Sequence, residues 1–95
     1  MILKNLHTEN KPIQTQLLFE PKDAKVISLQ IAKGETLKEH LSKIPALLVC
    51  ISGNAVFTDE NGIVVNLNSG TYVMIEENVK HALKAIEESN FLLMK

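Results

Sequence analysis

The chain has 95 residues, about the length of one small domain, and can bury enough apolar surface to fold without disulfides. Hydrophobic residues make up 45% of it and charged residues 22%, which excludes an intrinsically disordered chain. The net charge is -1 and arginine is absent, so the surface lacks the basic patch that nucleic acids require. We expect one globular domain with no nucleic-acid partner.

The first third of the chain predicts two strands after an ambiguous start. Residues 1–12 mix apolar and polar positions and fit either a helical turn or an edge strand, with His7 at the surface. Residues 13–19 form a mixed run that ends at a turn containing Pro21. Residues 25–31 alternate between the two faces of a strand, which predicts a half-buried strand.

The middle of the chain contains the clearest hairpin. Residues 35–43 have the composition of a helix as much as of a strand. Propensity alone favours a helix at residues 36–42, and tertiary context can override that preference. Residues 46–51 are a continuous apolar run. Two β-branched runs, 55–58 and 63–67, flank an Asn-Gly turn, a strong hairpin signal.

The last third adds three short strands. They are predicted at residues 72–75, 79–86 and 91–94, and turn residues separate them. Eight or nine short strands without a long helix favour an antiparallel sandwich or barrel.

The run at residues 46–51 is apolar on both faces, so something must cover its second face. Ala46, Leu48 and Cys50 would face the interior, and Leu47, Val49 and Ile51 would face outward. Either the N-terminal segment or a second copy of the chain could provide the cover. We expect a homodimer, because a two-fold contact needs only one self-complementary patch.

Two segments join a glycine to a histidine with defined spacing. Lys33–His40 and Gly70–His81, with Gly53 between them, resemble the two sequence motifs of the RmlC-like cupin superfamily. The resemblance covers residues 25–94. It implies an all-β fold: a cupin-type antiparallel β-barrel or jelly roll (double-stranded β-helix). Residues 1–95 would be one domain, with 1–24 as N-terminal strands and turns that could form a dimer.

The resemblance also implies a degenerate metal site. Cupin motifs supply three His and one Glu; here His40 matches the first ligand and His81 the last, while Ser42 and Ala46 replace the other two. The glycine usual in the second motif is Asn78. Catalytic zinc and non-haem iron sites generally use three protein ligands. A subset of small single-domain cupins of uncharacterised function, which tend to lack the full ligand set, is the closer match, so we expect no cofactor or a weakly held divalent metal.

Three functions remain open from the sequence. In the first, a non-enzymatic module binds or senses a small molecule in the barrel, where Leu48, Cys50 and Leu83 form an apolar wall and His40 and His81 orient a polar atom. In the second, a metal-dependent enzyme uses the two histidines as a reduced ligand set, completed by Glu76, Cys50 or water. In the third, the barrel serves assembly through its outer strand.

The remaining residues favour structural roles and a reducing compartment. Cys50 is the only cysteine, and neither a signal peptide nor a membrane-spanning run is recognisable, so we expect a cytoplasmic protein with no membrane partner. Tyr72 and Met74 share one face of a strand and are expected to pack in the core. Glu76 and Glu77 are expected to be solvated.

Overall fold

The computed structural model describes residues 1–95 and contains a four-residue 3-10 helix, Leu3–Leu6, followed by nine strands. The strands are β1 Ile13–Phe19, β2 Val26–Ile31, β3 Thr36–His40, β4 Ala46–Ser52, β5 Asn54–Asp59, β6 Val64–Asn68, β7 Tyr72–Ile75, β8 His81–Ala85 and β9 Ser89–Met94. No helix has the length and apolarity needed to cross a membrane.

The strands form two antiparallel sheets. The five-stranded sheet has the order β1-β2-β9-β4-β7, and the four-stranded sheet has the order β3-β8-β5-β6. The chain passes repeatedly from one sheet to the other, so strands that are distant in sequence become neighbours. This confirms the predicted all-β jelly roll.

Residues 36–40 form strand β3 although their composition is equally suited to a helix. Thr36 and Leu37 pair with Lys84 and Leu83 of β8, and Leu37 packs against the core. A short helix at these residues would lack the pairing with β8. Helix propensities differ by only about 0.5 kcal/mol per residue, which is a weak preference. Tertiary pairing therefore decides the conformation of this segment.

The core lies between the two sheets and confirms the expected side-chain parity of β4. Ala46, Leu48 and Cys50 are 5%, 2% and 0% exposed. The largest fully buried side chains are Phe57, from the four-stranded sheet, and Phe91, from the five-stranded sheet.

Strand β2 is buried on both faces, so the prediction of a half-buried strand is wrong. Its polar side chains Ser28 and Gln30 are 0% and 7% exposed. His7 explains part of this, because its Nε2 lies 2.8 Å from Ser28 Oγ and holds the N-terminal segment over β2. His7 is accordingly half-buried rather than a surface residue. The polar residues Ser28 and Gln30 indicated an exposed face, but side-chain hydrogen bonds satisfy both of them and allow this face to be buried.

Side chains also link four strands on this outer face of the five-stranded sheet. Gln14 Nε2 donates to Gln30 Oε1 at 3.3 Å, and Gln30 Nε2 donates to Asn90 Oδ1 at 3.1 Å. Asn90 Nδ2 donates in turn to Ser52 Oγ at 3.3 Å. A register shift in β1, β2, β9 or β4 would break this chain of bonds, so it helps to specify the pairing.

The turns place glycine or asparagine where a left-handed backbone is needed. Gly34 and Gly70, the glycines of the two motifs, have φ values of 79° and 87°. Asn78, which stands where the second motif usually has glycine, retains the left-handed conformation with φ 60°. Asparagine tolerates this region better than other residues with a Cβ, so the backbone geometry survives the substitution.

Candidate functional site

His40 and His81 lie together at one end of the barrel. His40 ends β3 and His81 begins β8, and the two residues are Cα partners next to a register shift. Their ring centroids are 4.2 Å apart, with an interplanar angle of 60°. His81 is 6% exposed, whereas His40 is open to solvent.

Backbone carbonyls orient both imidazole rings. Nδ1 of His40 lies 2.9 Å from the Lys38 carbonyl oxygen, and Nδ1 of His81 lies 3.1 Å from the Val79 carbonyl oxygen. A carbonyl oxygen can only accept, so each Nδ1 carries the proton in these bonds. Each neutral ring therefore presents the lone pair of Nε2 to an incoming group.

A narrow apolar cavity lies beneath the two rings. It measures about 30 Å³, and its lining includes the predicted wall residues Leu48 and Leu83 together with Phe57. The Phe57 ring stacks on His81 with centroids 5.7 Å apart. A space of this size holds about one water molecule, because side chains fill most of the barrel.

A second, wider space forms the mouth of the barrel, defined here as the pocket of about 100 Å³ lined by both imidazoles and by Leu41, Ser42, Ala46, Ile75, Leu93 and Lys95. Ile75 and Leu93 also line the narrow cavity, so the two spaces adjoin. A bound group larger than a water molecule therefore fits at the mouth and not in the narrow cavity.

Cys50 does not line either space. The thiol is fully buried, and its Sγ donates to the Ser52 carbonyl oxygen at 3.5 Å. Burial raises the pKa of the Cys50 thiol, which disfavours the nucleophilic or metal-binding thiolate. The structure thus places this predicted wall residue in the core.

Lys95 is the mouth residue that the sequence did not suggest. A reciprocal pair of backbone hydrogen bonds with Lys25, 2.8 and 3.1 Å long, holds the end of β9 beside β2. Periodicity along one strand cannot reveal this neighbour, because Lys95 follows β9 of the five-stranded sheet, whereas His40 and His81 belong to β3 and β8 of the other sheet. The three residues meet only where the two sheets face each other. The mouth consequently includes a cationic side chain next to two imidazoles.

Asp59 lies opposite His81 on the neighbouring strand, but its carboxylate accepts hydrogen bonds within its own turn. Asp59 is the Cα partner of His81. Its Oδ1 accepts the backbone N–H groups of Asn61 and Ile63 at 2.9 and 3.0 Å. This carboxylate therefore stabilises the Asn-Gly hairpin, and it does not line the mouth.

The pKa of His81 is lowered from 6.5, mainly because burial penalises the charged ring. The hydrogen bond to the Val79 carbonyl opposes this shift. The charges of His40 and Lys95 lower the pKa further, and the charge of Asp59 raises it. His81 is therefore biased toward the neutral form with a free Nε2.

Protonation of His81 is expected to destabilise the fold. Its pKa is lower in the folded chain than in the unfolded chain, so the unfolded state binds the proton more readily below pH 6.5. The free energy of unfolding should be largest above that pH and should decrease as the pH falls toward the folded-state pKa. Urea denaturation at a series of pH values from about 7.5 to about 5 measures this.

His81→Asn is the matching variant for this pH series, because the amide cannot titrate and can still donate to the Val79 carbonyl. It should make the pH dependence shallower. Part of the dependence should remain, because burial also lowers the pKa of His7. The same slope in His81→Asn as in the parent chain would contradict the assignment.

The residues at the mouth do not fit a catalytic divalent metal ion. No group of three or more His, Cys, Asp or Glu side chains is placed to hold one. Ser42 and Ala46 occupy the mouth where the resemblance places a second His and a Glu. The ammonium group of Lys95 adds a positive charge in their vicinity, which opposes cation binding.

A second candidate surface is the outer face of the five-stranded sheet. None of the residues in its five strands carries a charge. Tyr72 and Met74 lie on this face with 64% and 60% exposure, so the expectation that they pack in the core is wrong. Across the sheet, Val49 pairs with Leu92 on one side and with Tyr72 on the other, which makes the apolar face continuous.

No protein-family model matches the sequence, and no curated protein matches it either. Solved structures do match. A cupin superfamily protein from Desulfitobacterium hafniense superposes with a TM-score of 0.86 at 16% identity, over 99% of this chain and 85% of that one. A protein of unknown function from Streptococcus pyogenes gives a TM-score of 0.83 at 22% identity, over 99% and 82% of the two chains.

An RmlC-like cupin from Methanocaldococcus jannaschii, described as a double-stranded β-helix, gives a TM-score of 0.77 at 21% identity, over 94% and 84% of the two chains. These identities are too low to transfer an activity, but the near-complete superposition defines the architecture. The chain has the double-stranded β-helix fold of the RmlC-like cupins, as its two motifs predict.

Proposed function

We propose that this chain is a small-molecule binding module whose ligand sits at the mouth of the barrel against His40 and His81. The observation that carries the proposal is the orientation of the two rings. Both Nδ1 atoms are held by backbone carbonyls, which leaves both Nε2 lone pairs available over an apolar floor. Convergent polar groups above an apolar wall are the usual form of a ligand site.

The size of the space limits the ligand. A cavity that accepts benzene has a volume of about 150 Å³. The mouth and the narrow cavity are smaller, at about 100 and 30 Å³. The part of the ligand that the mouth encloses therefore has about six non-hydrogen atoms or fewer.

Histidine ring NMR signals test this proposal, because the chain has only three histidines. A panel of polar molecules with at most about six non-hydrogen atoms is titrated into the protein. A ligand at the mouth should shift the C–H signals of His40 and His81 in a saturable way. His7 lies on the outer face against Ser28 and serves as an internal reference.

The matched variant for this titration is His40→Ala. His40 is exposed, so its removal should leave the fold intact while weakening binding. Equal shifts of all three histidines, or no shift with any member of the panel, would contradict the proposal.

The second candidate is a divalent ion held weakly by the two Nε2 atoms and completed by waters, a site with fewer than the three protein ligands that catalytic metal ions generally use. The same Nδ1 bonds favour it, because metal-ligating histidines commonly donate their other N–H to a carbonyl. Elemental analysis after purification without chelators separates the candidates. Less than about a tenth of an equivalent of metal, unchanged in His40→Ala, would rule it out.

We also propose that the protein is a homodimer joined through the outer face of the five-stranded sheet. The N-terminal segment already covers Ser28, but Tyr72 and Met74 remain exposed. A second copy is the occupant that this face fits, because two uncharged faces meet without burying unpaired charge and the net charge of each chain is only -1. A cytoplasmic location completes the proposal, since the buried thiol of Cys50 is free.

A further inference from the structure

The mouth of the barrel offers two kinds of polar group to a ligand. Its acceptors are the Nε2 atoms of His40 and His81, whose Nδ1 protons are already donated to carbonyl oxygens. Its donors are the ammonium group of Lys95 and the hydroxyl of Ser42. The Ser42 Oγ accepts the backbone N–H of Ile44 at 3.3 Å, which leaves the hydroxyl proton to be donated.

A simple carboxylate satisfies only half of these groups. Its oxygens can accept from Lys95 and Ser42, but against neutral imidazole rings they would face the Nε2 lone pairs without a proton between them. A neutral alcohol satisfies the other half, since its hydroxyl can donate to Nε2, but it leaves the ammonium group of Lys95 without an anionic partner. A molecule that serves both kinds of group, with its hydroxyl proton donated to one of the two Nε2 atoms, therefore carries an acidic group and a hydroxyl.

The charges around the mouth favour an anion over a cation. Lys95 is the only lining residue with a permanently charged side chain. Asp59 engages its own turn through Oδ1, and Glu76 and Glu77 are exposed in the loop before β8. A carboxylate at the mouth thus meets the side-chain ammonium group of Lys95 and no lining side-chain carboxylate.

From this arrangement we infer that the ligand class of the mouth is a short hydroxycarboxylate. The carboxylate pairs with Lys95 and Ser42, the hydroxyl donates to an Nε2 atom, and the short carbon chain contacts Ile75 and Leu93. This inference rests on the proposed function and narrows it to one chemical class. The size limit of about six non-hydrogen atoms admits glycolate and lactate.

Three probes of nearly equal size test the two polar requirements separately. Lactate, tested as both enantiomers, has the carboxylate and the hydroxyl; propionate lacks the hydroxyl, and 1,2-propanediol lacks the carboxylate. Each is titrated while the ring signals of His40, His81 and the reference His7 are followed. We expect the Kd of one lactate enantiomer to be lower than the Kd of propionate and of propanediol by a factor of about ten or more.

A pair of lysine variants tests the role of charge. Lys95→Gln should weaken lactate binding about tenfold and leave propanediol binding unchanged. Lys84→Gln is the matched control, because Lys84 lies on β8 with His81 but is exposed and does not line the mouth. It should leave lactate binding unchanged.

The possible outcomes separate this inference from the proposed function. Equal binding of lactate and propionate, or of lactate and propanediol, would overturn the hydroxycarboxylate assignment while leaving a ligand at the mouth. An equal loss of lactate binding in Lys95→Gln and Lys84→Gln would overturn the specific role of Lys95. Binding of other panel members without any lactate binding would also overturn the inference, whereas no binding by any molecule would overturn both.

Discussion

Replacing Gly53 by alanine is expected to lower the free energy of unfolding by about 3 kcal/mol or more. Gly53 is the only residue between β4 and β5, and its φ of +103° is strained for a residue with a Cβ. An added Cβ would also come within 2.5 Å of the Glu88 carbonyl oxygen and 2.6 Å of Ser89 Cα. These are backbone atoms that cannot turn aside as a flexible side chain would.

The backbone around Gly53 has little freedom to move. Ser89 Oγ accepts the Asn54 N–H at 3.0 Å and donates to the Glu87 carbonyl, with an oxygen separation of 2.8 Å. The Ile86 N–H also donates to the Asn54 carbonyl at 2.8 Å. Relief of the clash would therefore break hydrogen bonds between β5 and the connection from β8 to β9.

Gly34→Ala is the matched control for this prediction, with urea denaturation as the measurement. Gly34 also has a positive φ, +79°, but an added Cβ meets nothing within 4 Å. It should cost only about 1–2 kcal/mol, the penalty of the left-handed conformation. A Gly53→Ala protein as stable as Gly34→Ala would contradict the close-packing argument, and failure of Gly53→Ala to fold while Gly34→Ala folds would support it.

A lysine at Met74 is expected to weaken the proposed dimer by about a hundredfold or more. Met74 is 60% exposed in one protomer, so Lys can replace it there without loss of core packing. In a two-fold dimer the same substitution places two ammonium groups in an apolar, uncharged interface. The cost of desolvating those charges falls on association and not on folding.

Sedimentation velocity over a range of protein concentrations measures this effect. Val64→Lys is the matched control, because Val64 is also apolar and 66% exposed but belongs to β6 of the other sheet. It should leave the dimer intact. A monomeric parent protein at about 100 µM, or equal weakening by both substitutions, would contradict the outer face as the interface.

The sequence identified the fold because its signals are local and agree with one another. The Asn-Gly turn, the two motif glycines and the alternation within β4 each depend on the φ angles or side-chain parity of a few neighbouring residues. The same local information located His40 and His81 and placed Cys50 on the interior face, where it is buried. It could not show that Cys50 lies outside the mouth, because the lining of the mouth depends on strands from both sheets.

Several predictions were wrong for one shared reason. The alternating pattern predicted that Ser28 and Gln30 face solvent. The N-terminal segment and the hydrogen-bonded side chains of Gln14 and Asn90 bury them instead. Tyr72 and Met74 read as core, but β7 turns them to the outer face. Periodicity shows that two faces differ, and it does not show which distant segment covers each one.

The amino-acid sequence by itself determined most of the strands, the turns and the degenerate character of the metal site, since these depend on residue identity and short spacings. Only the tertiary structure decided the chemistry of the mouth. It placed the two imidazole rings with their centroids 4.2 Å apart and brought Lys95 beside them. Those contacts join residues up to 55 positions apart, from His40 to Lys95, and exist only once the two sheets pack together.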